Sequence, residues 1–552
     1  MSAASADTLS AHVATHLAEH ATDVFGVMGN GNAWFLDAVV TSTSMTYTAV
    51  RHEAAAVAAA DAYYRASGRI AIATTTYGPG FTNAMTPLAE AVQARTPLVF
   101  VTGAPPAMPR AWDVDQRALT ETVGATYVVL DHDDWASEIR DALHHAHDER
   151  TPVVLAIPYD RAHDITPDVI VSGLRIAPFV PVPAPEAIAD AAARLAASER
   201  PLLLAGRGAW LSGAQDAAAG LADRLGALTT NSALAMGFFS GDTALGISGG
   251  FATEVTADLV AQAGGVLVLG AGLNQFTTRF GDAFAPGAHV IQIDLAEQAT
   301  NPRVDALLRG DVTAVIELLS AALAKGAGAR WETPSPADIA RRDPGDTLAP
   351  DGRLDPRSAI RRIDELLPAD RVVVQDGGHF IGWGPTYLTI PAPDRLIMVG
   401  TAFQTIGLGL PSAVGAGRAR PDSTIVLCSG DGGALMGLAD LETVARSVRH
   451  GVVLIFNDAA YGAEVHQYGV RGIDEGPMLI PEVDFAGLAS ALGAASAVIR
   501  TLDDLAALQT WLASGAEGVF LADLRVSRDV VAPYMHEVVA AATRTSQPPA
   551  DS

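Results

Sequence analysis

The sequence predicts an α/β protein of three open parallel sheets. Three observations carry that expectation. Short Val/Ile/Leu-rich runs alternate with Ala-rich helical stretches along the 552 residues, the pattern of sheets flanked by helices. Two stretches break the alternation, Pro178 to Pro185 and about Glu332 to Pro356. The first is too proline-dense for a helix or a central strand, and the second is rich in Pro, Asp, Arg and Gly. Finally, two apolar runs of the last third each end on an acidic turn: Thr424–Cys428 before Gly430-Asp431-Gly432-Gly433, and Val452–Phe456 before Asn457-Asp458.

The breaks set domains at 1–170, 186–330 and 357–540. In the first, an Ala-rich helical segment, Arg51-His52-Glu53-Ala54 to Tyr63, precedes an apolar strand at Ile70–Ala73 and the turn Gly78-Pro79-Gly80-Phe81-Thr82-Asn83. Small apolar residues surround Glu53, and burial among them would disfavour the charged form of a carboxyl group. The middle domain has strands at Leu202–Gly206, Val266–Gly270 and His289–Ile293. Its Gly270-Ala271-Gly272 does not continue as a dinucleotide fingerprint, because position 275 is Gln. In the last, Val372–Val374 leads into Gln375-Asp376-Gly377-Gly378-His379.

Composition limits the function. Hydrophobic residues make up 49% and charged residues 18%, as in a well-buried globular enzyme. The net charge of -26 argues against nucleic acid or an anionic membrane as partner. The single cysteine, Cys428, excludes an intrachain disulfide and lies within an apolar strand, where a core role is expected. Met1 to Ser5 lack a basic segment leading into an apolar one, and no run reaches the roughly 18 apolar residues of a membrane helix. A cytoplasmic protein is expected.

The acidic turns suggest the chemistry. The 24 residues Gly433 to Phe456 are about the length of one helix returning to a parallel strand. Asp431 and Asp458 thus stand at the carboxyl ends of two parallel strands, where open α/β sheets bind ligands. Gly430-Asp431-Gly432 opens a helix, whose N–H groups and dipole face an incoming anion. Two hard oxygen ligands beside such a hole suit a metal-bound diphosphate.

This spacing resembles that of the thiamine-diphosphate (ThDP) enzymes, and Arg51-His52-Glu53 and Gly78-Pro79-Gly80 resemble two further elements of that family. The resemblance implies pyrimidine-binding, central and diphosphate-binding domains. It implies that Asp431 and Asp458, with the carbonyl of Ala460, hold Mg²⁺ or Ca²⁺, with Gly430, Gly432, Gly433, Tyr461 and Gly462 around the diphosphate. Asp458 departs from the family's usual Asn. Glu53 would bond the pyrimidine nitrogen and promote the imino tautomer that deprotonates the thiazolium carbon. Aligning Gly409-Leu410-Pro411 with the family's wedge segment puts Ile406 under the bent cofactor and the carbonyl of Gln404 on the aminopyrimidine. Gly378 and His379 would touch the diphosphate.

Substrate contacts implied by the same alignment are Met28, Asn30, Tyr77, Phe81, Gln116, Phe403, Tyr461, Glu464 and His466. Gly29-Asn30-Gly31-Asn32 replaces the usual Pro-Gly-Gly turn, and Tyr77 replaces the Ser of acetolactate-synthase-like relatives. No adjacent histidine pair is placed to relay protons in the first domain; His144-His145 reads as surface. The family implies an active site shared between subunits, hence a homodimer at least and commonly a tetramer. The central domain sometimes holds FAD or ADP in this family; no FAD is expected here. The activity implied is that of the acetolactate synthase/benzoylformate decarboxylase group: decarboxylation of a 2-oxo acid, then carboligation to a second carbonyl. A simple 2-oxo acid decarboxylase, a non-catalytic ThDP-binding homologue and a flavin or nicotinamide oxidoreductase are the alternatives.

Overall fold

The computed structural model describes residues 7–108, 110–130, 134–167, 180–323, 331 and 334–545. Parts of both predicted breaks, 178–179 and 332–333, and the domain-end residues 1–6, 168–170 and 324–330 lie outside the described residues.

Three six-stranded sheets follow one another along the chain, and every strand pairing is parallel. The first runs from edge to edge as β2 (Thr46–Ala49), β1 (Asp23–Gly26), β3 (Ile72–Thr75), β4 (Leu98–Ala104), β6 (Pro152–Pro158) and β5 (Thr126–Val129). The second runs β12 (Ala306–Arg309), β11 (His289–Asp294), β10 (Gly265–Leu269), β7 (Pro201–Ala205), β8 (Leu228–Asn231) and β9 (Ala244–Ile247). The third runs β14 (Leu396–Ile397), β13 (Arg371–Gln375), β15 (Thr424–Gly430), β16 (His450–Phe456), β18 (Gly518–Leu524) and β17 (Ala495–Ile499). The first and third sheets share one order. The second has the doubly wound order usual for dinucleotide folds.

Central strands are buried along their length, as helix-covered parallel sheets require, and they read as continuous apolar runs. Cys428 is one of these buried positions; burial pushes its thiol up to about 12.

Each order reverses at one place, leaving a crevice at the carboxyl ends of two adjacent strands. In the first sheet the reversal falls between β1 and β3, and in the third between β13 and β15. In the second it falls between β7 and β10. There Gly206 lies against the carbonyl of Gly270, and a Cβ on Gly270 would stand 2.6 Å from the nitrogen of Ala209. Backbone meets backbone at that point, and a cavity of about 480 Å³ lined by Gly208, Gly270, Asp294 and Arg309 opens beside it.

The first and third domains of one chain pack through two small-residue helices, Glu53–Ser67 and Gly409–Ala419. Gly415 permits the approach, since a Cβ there would collide with the carbonyl of Ala59. A buried ion cluster reinforces the contact. Arg65 binds Asp61 and Glu90 and donates to the carbonyl of Met398, while Glu90 accepts from the N–H of Phe403. Removing one member would strand a buried charge.

Candidate active site

The third domain supplies one half. Register pairs Gly430 with Phe456, so Asp431 and Asn457-Asp458 leave adjacent strands side by side. Asp431 begins the helix Asp431–Met436; its Oδ1 accepts from the N–H of Gly432 at 2.8 Å, whereas Oδ2 is buried with no partner among the described residues. Asp458 Oδ1 accepts from the N–H of Ala460 at 3.1 Å. Burial pushes Asp431 up to about 6. Burial, then the charge of Asp431, pushes Asp458 up to about 7. Two repelling carboxylates with an orphaned oxygen are a favourable setting for a divalent cation. Among the described residues no cluster of three or more His, Cys, Asp or Glu could hold one alone. A cation here would draw its other ligands from backbone carbonyl, water and a bound anion, the manner of Mg²⁺ with phosphates. Ala459 sits between the acidic residue and Ala460 at φ +59°, a costly conformation for a non-glycine residue.

His379 borders this site. A Cβ on Gly462 would stand 2.9 Å from Asp458 Oδ2 and 3.2 Å from His379 Cβ. The N–H of Ala532 donates to His379 Nε2 at 2.8 Å, so the neutral ring carries its proton on Nδ1. Burial, then the neighbouring His466, holds His379 down at about 3. The two rings lie 4.5 Å apart, and His466 Nε2 is buried without a partner. Nothing in the sequence brings together histidines so far apart in the chain.

The segment read as the wedge is placed by a carboxylate that sequence reasoning passed over. Asp376, buried at the end of β13, accepts from the N–H groups of Gly377 at 2.8 Å and Gly407 at 3.0 Å, and from Ser429 Oγ at 3.1 Å. It ties the Gly377-Gly378 turn to the residue after Ile406, and a Cβ on Gly377 would be 2.9 Å from Ile406 Cγ2. Gln404 is exposed at φ +62°, and Phe403 and Glu464 are also exposed. The Tyr461 ring covers Gly432.

The first domain supplies the other half. Glu53 is the first residue of its helix, and there the structure departs from the expected burial. Ala55–Tyr63 are buried, but Glu53 is half-exposed within the single chain because it stands at the helix mouth. Asn83 Nδ2 donates to Glu53 Oε2 at 3.0 Å. The expected Gly78–Asn83 turn is a short helix, Pro79–Asn83, entered through Gly78 at φ +63°. Gln116 holds that entry: its Oε1 accepts from the N–H of Gly78 and its Nε2 donates to the carbonyl of Gly103, both at 3.0 Å. Its amide is therefore spent on the scaffold. Phe81 is fully buried and stacked on Phe100, so it belongs to the core. Asn30 and Tyr77 do meet, in a cavity of about 420 Å³ completed by Thr76, Pro79, Arg110, Trp112 and Tyr159. Met28 is exposed. His145 is exposed and His144 half-buried on a helix, as surface residues should be.

Among the described residues no hydrogen bond or ring contact joins Glu53 or Tyr77 to Asp431, Asp458 or His379 within the chain. The domains touch instead through Arg51 with Asp440 and Glu442, and through the Arg65–Glu90 cluster. No described helix is long and apolar enough to cross a membrane.

Known proteins match this architecture throughout. The family models for the N-terminal TPP (thiamine pyrophosphate) binding domain, the central domain and the C-terminal TPP binding domain of thiamine pyrophosphate enzymes match residues 7–125, 188–319 and 376–522. The chain is 29% identical to the acetolactate synthase large subunit of Parasynechococcus marenigrum, over 86% of this chain and 81% of that one. It is 30% identical to a probable 2-ketoarginine decarboxylase of Pseudomonas aeruginosa, over 92% of each. The solved 4-hydroxybenzoylformate decarboxylase of Rhodococcus jostii shares the fold, with a TM-score of 0.78 at 22% identity, covering 94% of this chain and 99% of that one. With all three domain models in chain order and a full-length relative at this identity, the chain belongs to the thiamine pyrophosphate enzymes.

Proposed function

We propose that the protein is a ThDP- and Mg²⁺-dependent carboligase, which decarboxylates a 2-oxo acid and transfers the remaining acyl unit to a second carbonyl compound. ThDP, when bound, supplies a carbon nucleophile for the 2-oxo acid and a sink for the electron pair released with CO₂. Asp431 and Asp458 hold the cation with the carbonyl of Ala460. Gly378, Gly430, Gly432, Gly433, Tyr461 and Gly462 surround the diphosphate, to which His379 donates from Nδ1. Ile406 positions the cofactor, the carbonyl of Gln404 accepts from it, and Glu53 shares a proton with its ring nitrogen. The sites form between two subunits, in a cytoplasmic homodimer or tetramer, because no described hydrogen bond or ring contact joins the two halves within one chain. No flavin is required.

The observation that carries carboligation is the first-domain cavity. It is about 420 Å³ in volume and lined by Asn30, Thr76, Tyr77, Pro79, Arg110, Trp112 and Tyr159, with no His, Asp or Glu to protonate a carbanion. Room without a carboxyl or imidazole group favours capture by a second carbonyl. A simple decarboxylase is the second reading, favoured by the His379–His466 pair in the other half. Mass spectrometry of products from pyruvate, with and without an added aldehyde, tests this. A cross-coupled hydroxyketone formed with the aldehyde supports carboligation; acetaldehyde alone under both conditions selects the decarboxylase.

A further inference from the structure

Tyr77 ends β3 at the crevice of the first sheet, and its ring is locked there. It is 5% exposed and lies in a slot whose walls are glycine backbones. A Cβ on Gly31 or Gly103 would come within 2.6 or 2.8 Å of Tyr77 Cδ1. The guanidinium of Arg110 covers the ring at 4.3 Å, and Tyr159 meets it edge-on at 5.6 Å.

The hydroxyl is constrained further. Asn30 Nδ2 donates to Tyr77 Oη at 3.0 Å, and Arg110 Nη1 donates to it at 2.8 Å. The Arg110 bond cannot reverse, and the Asn30 bond runs this way while Thr76 Oγ1 donates to Asn30 Oδ1. Arg110 has no acceptor atom. Asn30 is oriented by a chain that starts at a backbone donor: the N–H of Gly31 donates to Thr76 Oγ1 at 3.0 Å, and Thr76 Oγ1 donates to Asn30 Oδ1 at 3.1 Å. A phenol oxygen accepting two bonds keeps one hydrogen to give. That hydrogen has no acceptor among the described residues, and the group opens on the cavity of about 420 Å³. Donors pointing at Tyr77 strengthen the bond it can make.

Arg110 is not itself free to serve as the main charge partner of a ligand. Asp113 Oδ1 takes its Nη2 at 2.8 Å, and Asp113 Oδ2 takes the N–H of Arg110 at 2.7 Å. Its charge is balanced and its position fixed. What remains is one strong, directed O–H donor in a cavity with aromatic walls.

Resting on the proposed action on 2-oxo acids, we propose that the Tyr77 hydroxyl grips the carboxylate of the 2-oxo acid, with Arg110 and Asn30 as positioning residues that fix the direction of its proton. A carboxylate is an acceptor only, matching a group that can only donate. The bond weakens as the carboxylate becomes neutral CO₂, so it aids binding and does not speed decarboxylation.

The probes are pyruvate and phenylglyoxylate, used with wild type, Tyr77→Phe, Arg110→Gln and the double variant. Affinity is read by calorimetry on cofactor-free protein, and KM and kcat on ThDP-loaded protein. Tyr77→Phe is expected to weaken binding and raise KM about 10- to 100-fold, the size of one hydrogen bond to a charged group, without lowering kcat. Arg110→Gln should have a smaller effect, and the double variant should match Tyr77→Phe, because Arg110 acts through the hydroxyl. Wild-type affinity for both acids in Tyr77→Phe, additive losses in the double variant, or no binding by wild type would overturn the proposal. Binding by wild type without turnover would overturn the proposed reaction instead and leave this contact standing.

Discussion

The crevice of the third sheet and the crevice of the second are built from similar glycine-rich turns and differ in what those glycines do. At β13 and β15 a Cβ on Gly377, Gly378, Gly430, Gly432 or Gly433 would meet the side chains of Ile406, Phe380, Tyr461 or Asp376, and Asp431 Oδ2 is left buried without a partner among the described residues. At β7 and β10, Gly206, Gly208 and Gly270 are consumed by backbone meeting backbone. Beside that contact a cavity of about 480 Å³ opens toward the first domain, lined by Gly208 and Gly270 and by Arg95, Arg150 and Arg309 among Asp148, Glu149, Asp294, Glu297 and Asp311. It is remote from both half-sites. Reversal of strand order creates an opportunity for a ligand; a site follows only where side chains with unmet valence occupy it.

Substitutions at the two crevices should therefore act differently. The largest effect is expected from Asp431→Ala, which removes a charged ligand and should abolish retention of ThDP and Mg²⁺ after gel filtration while leaving the fold intact. Full retention would mean the metal site is assigned wrongly. Glu53→Gln should bind ThDP yet lose activity on the order of 10²-fold, since an amide cannot relay the proton. Hydrogen–deuterium exchange at the thiazolium carbon should slow in parallel.

The middle crevice sharpens the contrast. Gly270→Ala places a side chain at φ +57° against the nitrogen of Ala209, so a stability loss of about 3 kcal/mol is expected by denaturant titration. Cofactor retention per folded molecule should not change. A Gly270→Ala protein that keeps its stability would show that the backbone approach at Gly270 is relieved without cost.

Asp458→Asn is expected to be mild for retention, and its informative effect is on pH. Asp431 and Asp458 stand raised to about 6 and 7 by burial and mutual repulsion. A carboxyl group raised in the folded state holds its proton more tightly there than when unfolded. Its contribution to stability is present below about pH 4 and is lost as pH rises through the folded value. Cofactor-free wild type should accordingly lose thermal stability between about pH 4 and 7 relative to Asp458→Asn. Metal and ThDP should suppress that difference, and parallel profiles in their absence would contradict the assigned pair.

The sheets and the pairing of the two acidic turns were legible because they rest on local signals: apolar runs of strand length, and acidic turns at the ends of adjacent strands. The first half was less legible. Glu53 heads a run of buried alanines, but its place at the helix mouth leaves it half-exposed, which composition does not reveal. Phe81 and Gln116 lie beside the site in sequence yet turn into the core and the scaffold. Arg110 carries no motif at all; it sits on a loop and gains its role only because Gly31 and Gly103 let Tyr77 lie beneath it. The backbone approach in the middle crevice was equally hidden, since Gly206 and Gly270 are far apart until β7 and β10 pair.

The central claim is that Glu53 and Asp431 serve one cofactor from opposite subunits. Subunits carrying Glu53→Gln and Asp431→Ala should be co-expressed and the hybrids assayed after their composition is verified. A hybrid dimer has one site with both defects and one with neither, so a random mixture of two nearly inactive proteins should recover up to about a quarter of wild-type activity. No recovery in verified hybrids, or an active monomer by light scattering, would contradict the shared site.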